Sequence, residues 1–524
     1  MLDLQTEQTI ALDEHALVVD ASDNVAVVKR ATAPGLALRL PGGRVVRLRE
    51  AIAPGHRFAT RAIAAGEFVL QYGQPIGTSR GIAAGAQVTH ANMTDDVPLT
   101  RDVPEDLRTP PPDYLPVSER ATFAGFRRAD GRVGTRNFIL VVPTSMCASH
   151  EAQQIATRAE FTLYRRESYR NVDGVVAIPH NKGCGCPDGS NLDVLLRTLA
   201  NYADHPNVGG VLLLDLGCEK TNLAYVERYL LKRQQSFAKP FATLGIQEVG
   251  GTRAAIERGL QEVERMLPLA NRAARTETPI SELVLGVKCG GSDAFSGLSA
   301  NPSLGHAADL LVRSGGTVLL TEVPEFCGAE HLLARRAKDA ETARAVYRMV
   351  DWYKEYAARF GATLGENPSP GNVAGGLLNI TLKSLGAIAK AGTTRVEGVC
   401  EYAERPAGRG LQLMQGPGYD QESTPGLVAA GATVVVFTTG RGTTIGNAIA
   451  PVVKLASNTS VFKRMAHDID LSAGGVIDGT ETIAEVGARV FAHLRRVASG
   501  EVLARAEELQ HREFQCWGEQ AISL

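Results

Sequence analysis

The 524-residue sequence has almost no net charge: 55 lysines and arginines stand against 57 acidic residues. That balance excludes both the polycationic face that holds nucleic acid and an acidic tail, so the expected partner is a small molecule. No stretch approaches the roughly 18 consecutive apolar residues that span a bilayer. The opening MLDLQTEQTIALDEH carries acids where a secretory signal would carry bases. Both absences lead to the expectation of a cytoplasmic chain that works away from membranes. Cysteine is scarce too: eight in this length are too few for a disulfide framework, and a reducing compartment keeps them as thiols. Repeats of about 20–50 residues are missing, which excludes a solenoid.

What is present is enough chain for roughly two to four domains, each with its own core. Residues 1–97 contain short β-type runs (NVAVVK, RVVRL, EFVLQYG) broken by Gly, Pro and Asp turns, which predict a small all-β module. Residues 98–120 are rich in proline and charge and lack an apolar period, as in an extended linker. From 121 the pattern alternates between apolar strands and amphipathic helices. It predicts two α/β domains with mainly parallel sheets, over 121–274 and 275–524.

Ligands of open α/β sheets bind outside the carboxyl ends of the strands, so the residues following each predicted strand carry the chemistry. Cys147 follows FILVVP; His180, Cys184 and Cys186 follow VVAIP; Cys218 and Glu219 follow VLLLDLG. Cys289 and Asp293 follow LVLGVK, and Glu322, Glu325 and Cys327 follow GTVLLT. The expectation is that five strand ends deliver soft and acidic donors to one rim around one ion. The C-x-C of Cys184 and Cys186 lacks the paired spacing of a zinc ribbon. Cys400 and Cys516 have no such neighbourhood and are assigned to packing.

Two loops stand out. FTTGRGTTIG has the spacing G-x-G-x-x-x-G, and Pro451 interrupts what should be a phosphate-binding helix, so a dinucleotide is a poor fit. Thr438, Thr439, Arg441 and Thr443 would instead suit a carboxylate and hydroxyls. ENPSPGNVAGG is too rich in Pro and Gly for helix or strand. In the segment that follows, Lys383 and Lys390 fit equally a solvated helix face or a substrate contact.

Taken in order, GFRRADGRVGTRN, HNKGC, DLGCEKTN, KCGGSDAFSGLSANPSLG, TEVPE, NPSPGN and FTTGRGT resemble the altronate/galactarate dehydratase family, from about residue 15 to about 495. The resemblance implies that the N-terminal module is of the SAF type, a β-clip-like fold. It also implies removal of water from a sugar acid to give a 2-keto-3-deoxy acid, with iron or another divalent metal. The C2 proton of such an acid is very weakly acidic, so the developing enediolate needs positive charge beside it. Carried over by motif, the metal candidates are Cys147, Cys184, Cys218, Glu219, Cys289 and Glu322, with Fe2+ expected, Mn2+ admitted and a 4Fe-4S cluster as the alternative. The catalytic candidates are His180, Asp20, His90 and Lys288. Arg136, Asp293, Asn372, Thr439 and Arg441 are the candidates for substrate contact.

The module departs from the family pattern, because Asp20 stands where relatives carry a His and a His-x-His-Asn pattern shrinks to THAN around His90. Lys182 and the second Cys of HNKGCGC depart as well. The segment TEVPEFCGAEHLL places altronate ahead of galactarate as the expected substrate. Elimination of another group from a 2-hydroxy acid, of the sulfolactate type, and a non-catalytic sugar-acid binder are the alternatives. A homo-oligomer is compatible with all three.

Overall fold

The computed structural model describes residues 9–233 and 239–519. In the N-terminal module, Val25–Val28 pairs antiparallel with Ala16–Leu17 and with Arg57–Ala59, and Phe68–Gln71 forms a hairpin with Gln74–Ser79. A single helical turn, Leu12–His15, interrupts the expected all-β pattern; Asp13 and Glu14 suit its positive amino end. Strand alternation lets the module serve two cores. Ala26 and Val28 join its own core with Leu38 and Phe58, whereas Val25, Val69, Ile76 and Met93 join the core of the C-terminal domain. The module is therefore bonded to that domain through shared apolar burial.

Residues 98–120 are mostly irregular and lie along the same domain. Arg101 bridges Glu330 at 2.9 Å and Asp351 at 2.7 Å, and Thr109 Oγ1 donates to Ala337 O at 2.7 Å. This segment is a strap across the surface, not a free spacer.

The first α/β domain holds a four-stranded parallel sheet: β1 (Phe138–Pro143), β2 (Gly174–Ala177), β3 (Val208–Asp215) and β4 (Phe241–Gly245), in the order β2-β1-β3-β4. Where the chain enters and leaves this domain, Thr122–Arg127 pairs antiparallel with Thr276–Pro279. The second α/β domain has seven parallel strands: β5 (Val284–Cys289), β6 (Thr317–Leu320), β7 (Val396–Cys400), β8 (Gly410–Met414), β9 (Val434–Thr439), β10 (Val452–Ala456) and β11 (Leu471–Ser472). Their order is β7-β8-β6-β5-β9-β10-β11. Strands covered on both faces read as continuous apolar runs, as β3, β6 and β9 do. The chain leaves β5 in one direction and returns on its other side as β9. A switch point therefore lies at the carboxyl ends of these two strands, where the loops diverge and leave a crevice.

ENPSPGNVAGG departs from its expectation. It begins at the last residue of a 3-10 turn, Leu364–Glu366, and contains a short helix, Pro370–Ala374. Proline in the first helical turn gives up an N–H that would be unpaired there anyway.

Candidate active site

In the first α/β domain, the loops after β1, β2 and β3 form one rim. Met146 N–H donates to Lys182 O at 2.8 Å, and Thr221 Oγ1 donates to Thr144 O at 2.6 Å. Gly183 has φ 107°, and a Cβ there would lie 2.6 Å from Ser145 Cβ and 2.7 Å from Thr221 Oγ1, so the close approach of the loops requires glycine. Glu219 knits the rim: Oε1 accepts from Thr144 and Ser145 at 2.9 Å and from Leu216 N–H at 3.0 Å, while Oε2 accepts from Gly217 N–H at 2.8 Å. Burial opposes its charge, yet these donors hold its carboxyl below the usual range. Three exposed thiols surround it, Cys147, Cys184 and Cys218. Cys147 and Cys184 lie against each other, and Gln247 Nε2 reaches Cys218 Sγ at 3.6 Å.

A second group is built at the ends of β5 and β6. Lys288 Nζ meets Glu322 Oε1 at 2.5 Å and Asp420 Oδ1 at 2.8 Å. Lys390 Nζ lies 2.8 Å from Glu322 Oε2 and 3.1 Å from Cys289 Sγ, and Lys383 Nζ lies 2.9 Å from Glu325 Oε1. Cys289 donates its thiol hydrogen to Glu325 Oε2 at 3.1 Å. Burial works against the charges of Lys288 and Lys390, but their acidic partners outweigh it and raise both. Burial likewise opposes the Glu325 charge, and Lys383 and Lys390 override it, bringing the carboxyl down to about 2. Burial, then Glu325, pushes the Cys289 thiol up, so it stays protonated. Glu322 has φ 73°, a left-handed backbone costing on the order of 1–3 kcal/mol, and its two ammonium partners hold it there.

Asp293 and Asn372 border this group at the switch point. Asp293 accepts from Ser296, Ser457 and Asn458 side chains at 2.9 to 3.1 Å, and Asn372 Nδ2 donates to Ser292 O at 2.8 Å. Thr439 Oγ1 accepts from Gly442 N–H at 3.0 Å, and Arg441 is exposed on the loop after β9. Side chains at the strand ends of the two sheets come near one another. Lys182, beside the thiols, acts electrostatically on Glu422, two residues after Asp420. Residues 512–518 lie between them: Phe514 packs 6.4 Å from the His180 ring and Gln515 reaches Glu422 at 3.3 Å.

Several expected roles do not match this geometry. Of the five strand ends, three belong to one sheet and two to another. Among the described residues, the group of three His, Cys, Asp or Glu donors within 4.8 Å of one another is Cys289, Glu322 and Glu325. His180 is buried with both ring nitrogens engaged, Nε2 donating to Pro143 O at 2.9 Å and Nδ1 accepting from Lys182 N–H at 3.2 Å. Burial holds it down to about 4, so it is neutral and has no lone pair to offer as base or ligand. The Arg136 guanidinium is buried, is bidentate to Glu507 at 2.6 and 2.8 Å and bonds two backbone carbonyls, so four of its five N–H donors are already engaged. Asp20 is exposed in a turn closed by Ser22, and His90 is exposed as well. Lys383 and Lys390 belong to the cluster, not to a solvated face; their spacing of seven on one helical segment was the available signal. Asp420 carried no signal at all.

Models of the D-galactarate/altronate dehydratase SAF domain, second domain and C-terminal domain match residues 14–96, 125–271 and 280–522. The chain belongs to the galactarate/altronate dehydratase family. It is thus a hydro-lyase with an N-terminal SAF domain and parallel α/β domains, as its motifs indicate. Altronate dehydratase of Bacillus subtilis (strain 168) is 36% identical over 93% of this chain and 95% of the relative. Galactarate dehydratase (L-threo-forming) of Escherichia coli (strain K12) is 38% identical over 92% of each. The (2R)-sulfolactate sulfo-lyase subunit beta of Chromohalobacter salexigens is 33% identical over 75% of this chain and 96% of the relative.

Donor chemistry separates the two places where this family member could hold a metal. Cys289, Glu322 and Glu325 are surrounded by three ammonium groups, so a cation there would meet an already compensated charge. The exposed thiols of Cys147, Cys184 and Cys218 are the donor type that a thiophilic ion takes, but the three do not lie within 4.8 Å of one another.

Proposed function

We propose that the protein dehydrates a six-carbon sugar acid, altronate first and galactarate next, by loss of the C2 proton and the 3-hydroxyl. The observation that carries this reading is the group at the ends of β5 and β6, where three lysines are ion-paired with three acids beside the switch-point crevice. Such preorganised charge stabilises an enediolate most where water is excluded. Of the three acids in the group, Asp420 alone reaches solvent, with 26% of its side chain exposed. In this reading its carboxylate takes the C2 proton and returns it to the departing 3-hydroxyl, which leaves as water, Lys288 faces the charge left on the substrate, and the enol product tautomerises to the 2-keto acid. Asn372, Thr439 and Arg441 border the same crevice and contact the substrate's hydroxyls. Cys147, Cys184 and Cys218 would hold iron, as Fe2+ or as a 4Fe-4S cluster, and it would supply Lewis-acid charge for a substrate oxygen.

The test is anaerobic incubation of the Fe(II)-reconstituted protein with hexonates and hexarates, with assay of the 2-keto-3-deoxy acid. Altronate should give the highest kcat/KM. Absence of keto acid from the whole panel sinks the reading. The sulfo-lyase relative makes sulfolactate a necessary panel member, because release of sulfite from it would move the assignment to that elimination.

A further inference from the structure

Arg57, in the module strand Arg57–Ala59, has none of its surface exposed. Its Nε donates to Gln71 Oε1 at 2.9 Å, and Nη2 donates to the carbonyls of Gly55 at 3.3 Å and Gly376 at 2.5 Å. Nη1 is buried without a partner, as is Gln71 Nε2. Among the described residues no carboxylate pairs with this guanidinium; burial lowers it to about 10, and the one group acting to raise it is the Tyr72 phenol. Most other deep cations have an acid beside them; Lys454 Nζ also lacks a hydrogen-bond partner, yet Asp470 acts on it. Arg136 has Glu507, Lys288 has Glu322 and Asp420, and Lys390 has Glu322. A buried cation without an anion is strongly unfavourable, so its retention suits a place where an anion arrives.

The surroundings fit that arrival. Gly376 ends the loop whose Asn372 holds Ser292 and whose Gly375 carbonyl accepts from Ala294 N–H at 3.0 Å, on either side of Asp293. This loop seats on the module through bare backbone. A Cβ on Gly55 would lie 2.7 Å from Gly375 O, and one on Gly376 would lie 2.2 Å from Gly55 O. Tyr72, held at φ 62°, sends its phenol beside Gly297, where a Cβ would come within 2.4 Å of the hydroxyl. Only main chain therefore separates Arg57 from the loop that borders the crevice.

We propose that Arg57 is a carboxylate-binding residue contributed by the N-terminal module: when loop 370–376 draws back, the carboxylate of the sugar acid replaces the Gly376 carbonyl and fills the empty Nη1 position, with Gln71 as second donor. The planar guanidinium accepts a carboxylate bidentately, so its ligand is a polyhydroxy carboxylate and not a neutral polyol. This rests on the reading that the substrate is a sugar acid.

Calorimetric titration of the full-length reconstituted protein with galactarate, altronate and galactitol tests it. Wild type should bind at least one acid and not galactitol. Arg57→Gln should weaken acid binding by at least about 30-fold, and Arg57→Lys by less, because an ammonium keeps the charge and loses the fork. In turnover, Arg57→Gln should raise KM at least about tenfold with a smaller change in kcat. Amide hydrogen exchange on wild type provides a readout free of folding defects: saturating acid should speed exchange across 371–378. Acid binding by Arg57→Gln within about twofold of wild type overturns the proposal, as does unchanged exchange in that segment. Acid binding that depends on Arg57, without any turnover, upholds the site and removes only the dehydratase reading.

Discussion

Lys288 Nζ and Glu322 Oε1 are 2.5 Å apart, and neither side chain has any exposure to solvent. Each is the reason the other can be charged there. Glu322 also takes Lys390 and the Cys289 N–H, so one carboxylate holds two lysines and the end of β5 in register. Because desolvation and attraction nearly cancel in such pairs, the group adds little net stability when whole, while losing one member leaves a buried charge unanswered.

Glu322→Gln should therefore destabilise the fold by about 3 kcal/mol or more, as measured by denaturant unfolding of the wild type and variant side by side. A change under about 1 kcal/mol would show that water reaches the pair.

Arg136→Met tests an assignment that structure and motif treat differently. Arg136 lies at Glu507, away from both strand-end groups, so the variant should lower the unfolding midpoint by about 2–4 kcal/mol equivalent and leave the KM of the folded fraction within about twofold. A large KM change at unaltered stability would return Arg136 to the substrate.

Cys184→Ser alters an exposed thiol, so the melting temperature of the metal-free protein should hardly move, in line with the ±0.5 kcal/mol usual for surface changes. Iron content and turnover should fall together, by more than the roughly 10–100-fold expected of an outer-shell partner. Full iron occupancy in the serine variant would remove Cys184 from the metal site. Chelation of wild type should reproduce the variant.

Asp470 supplies the pH prediction. Burial raises its carboxyl to about 6, against backbone hydrogen bonds from Lys454 and Arg505. Between about pH 4 and 6 the folded protein keeps a proton that the unfolded chain has lost, so stability falls as pH rises through that window. At most about 3 kcal/mol is involved. Asp470→Asn should flatten the slope of unfolding free energy over that range, and an unchanged slope would show that Asp470 is ionised in the fold.

Gly440→Ala should displace Asp293, since a Cβ would come within 2.1 Å of its carboxylate. The expected outcome is loss of turnover with the melting temperature lowered; a variant with normal kcat/KM would show that Asp293 can move without consequence.

The strand runs were legible because a doubly covered strand is a near-continuous apolar run, as β3 and β9 are up to their polar last residues, Asp215 and Thr438–Thr439. The family motifs were legible because strings such as KCGGSD answer a local constraint: a Cβ on Gly290 would lie 2.6 Å from the Phe437 ring, and Gly291 has φ 57°. The pairing of donors was not. Cys147, Cys184 and Cys218 share one sheet, while Cys289 and Glu322 belong to another, and nothing in their spacing distinguishes the two sets.

Local chemistry determined where strands end and which side chains stand at their ends, because periodicity and turn residues act over a few positions. Tertiary structure alone decided which of those ends face each other. It turned His180 into a backbone-bonded strut, satisfied Arg136 with an acid 371 residues away and left Arg57 without one. The physical reason is that the state of an ionisable group depends on its desolvation and its nearest charges, and both come from segments distant in the chain.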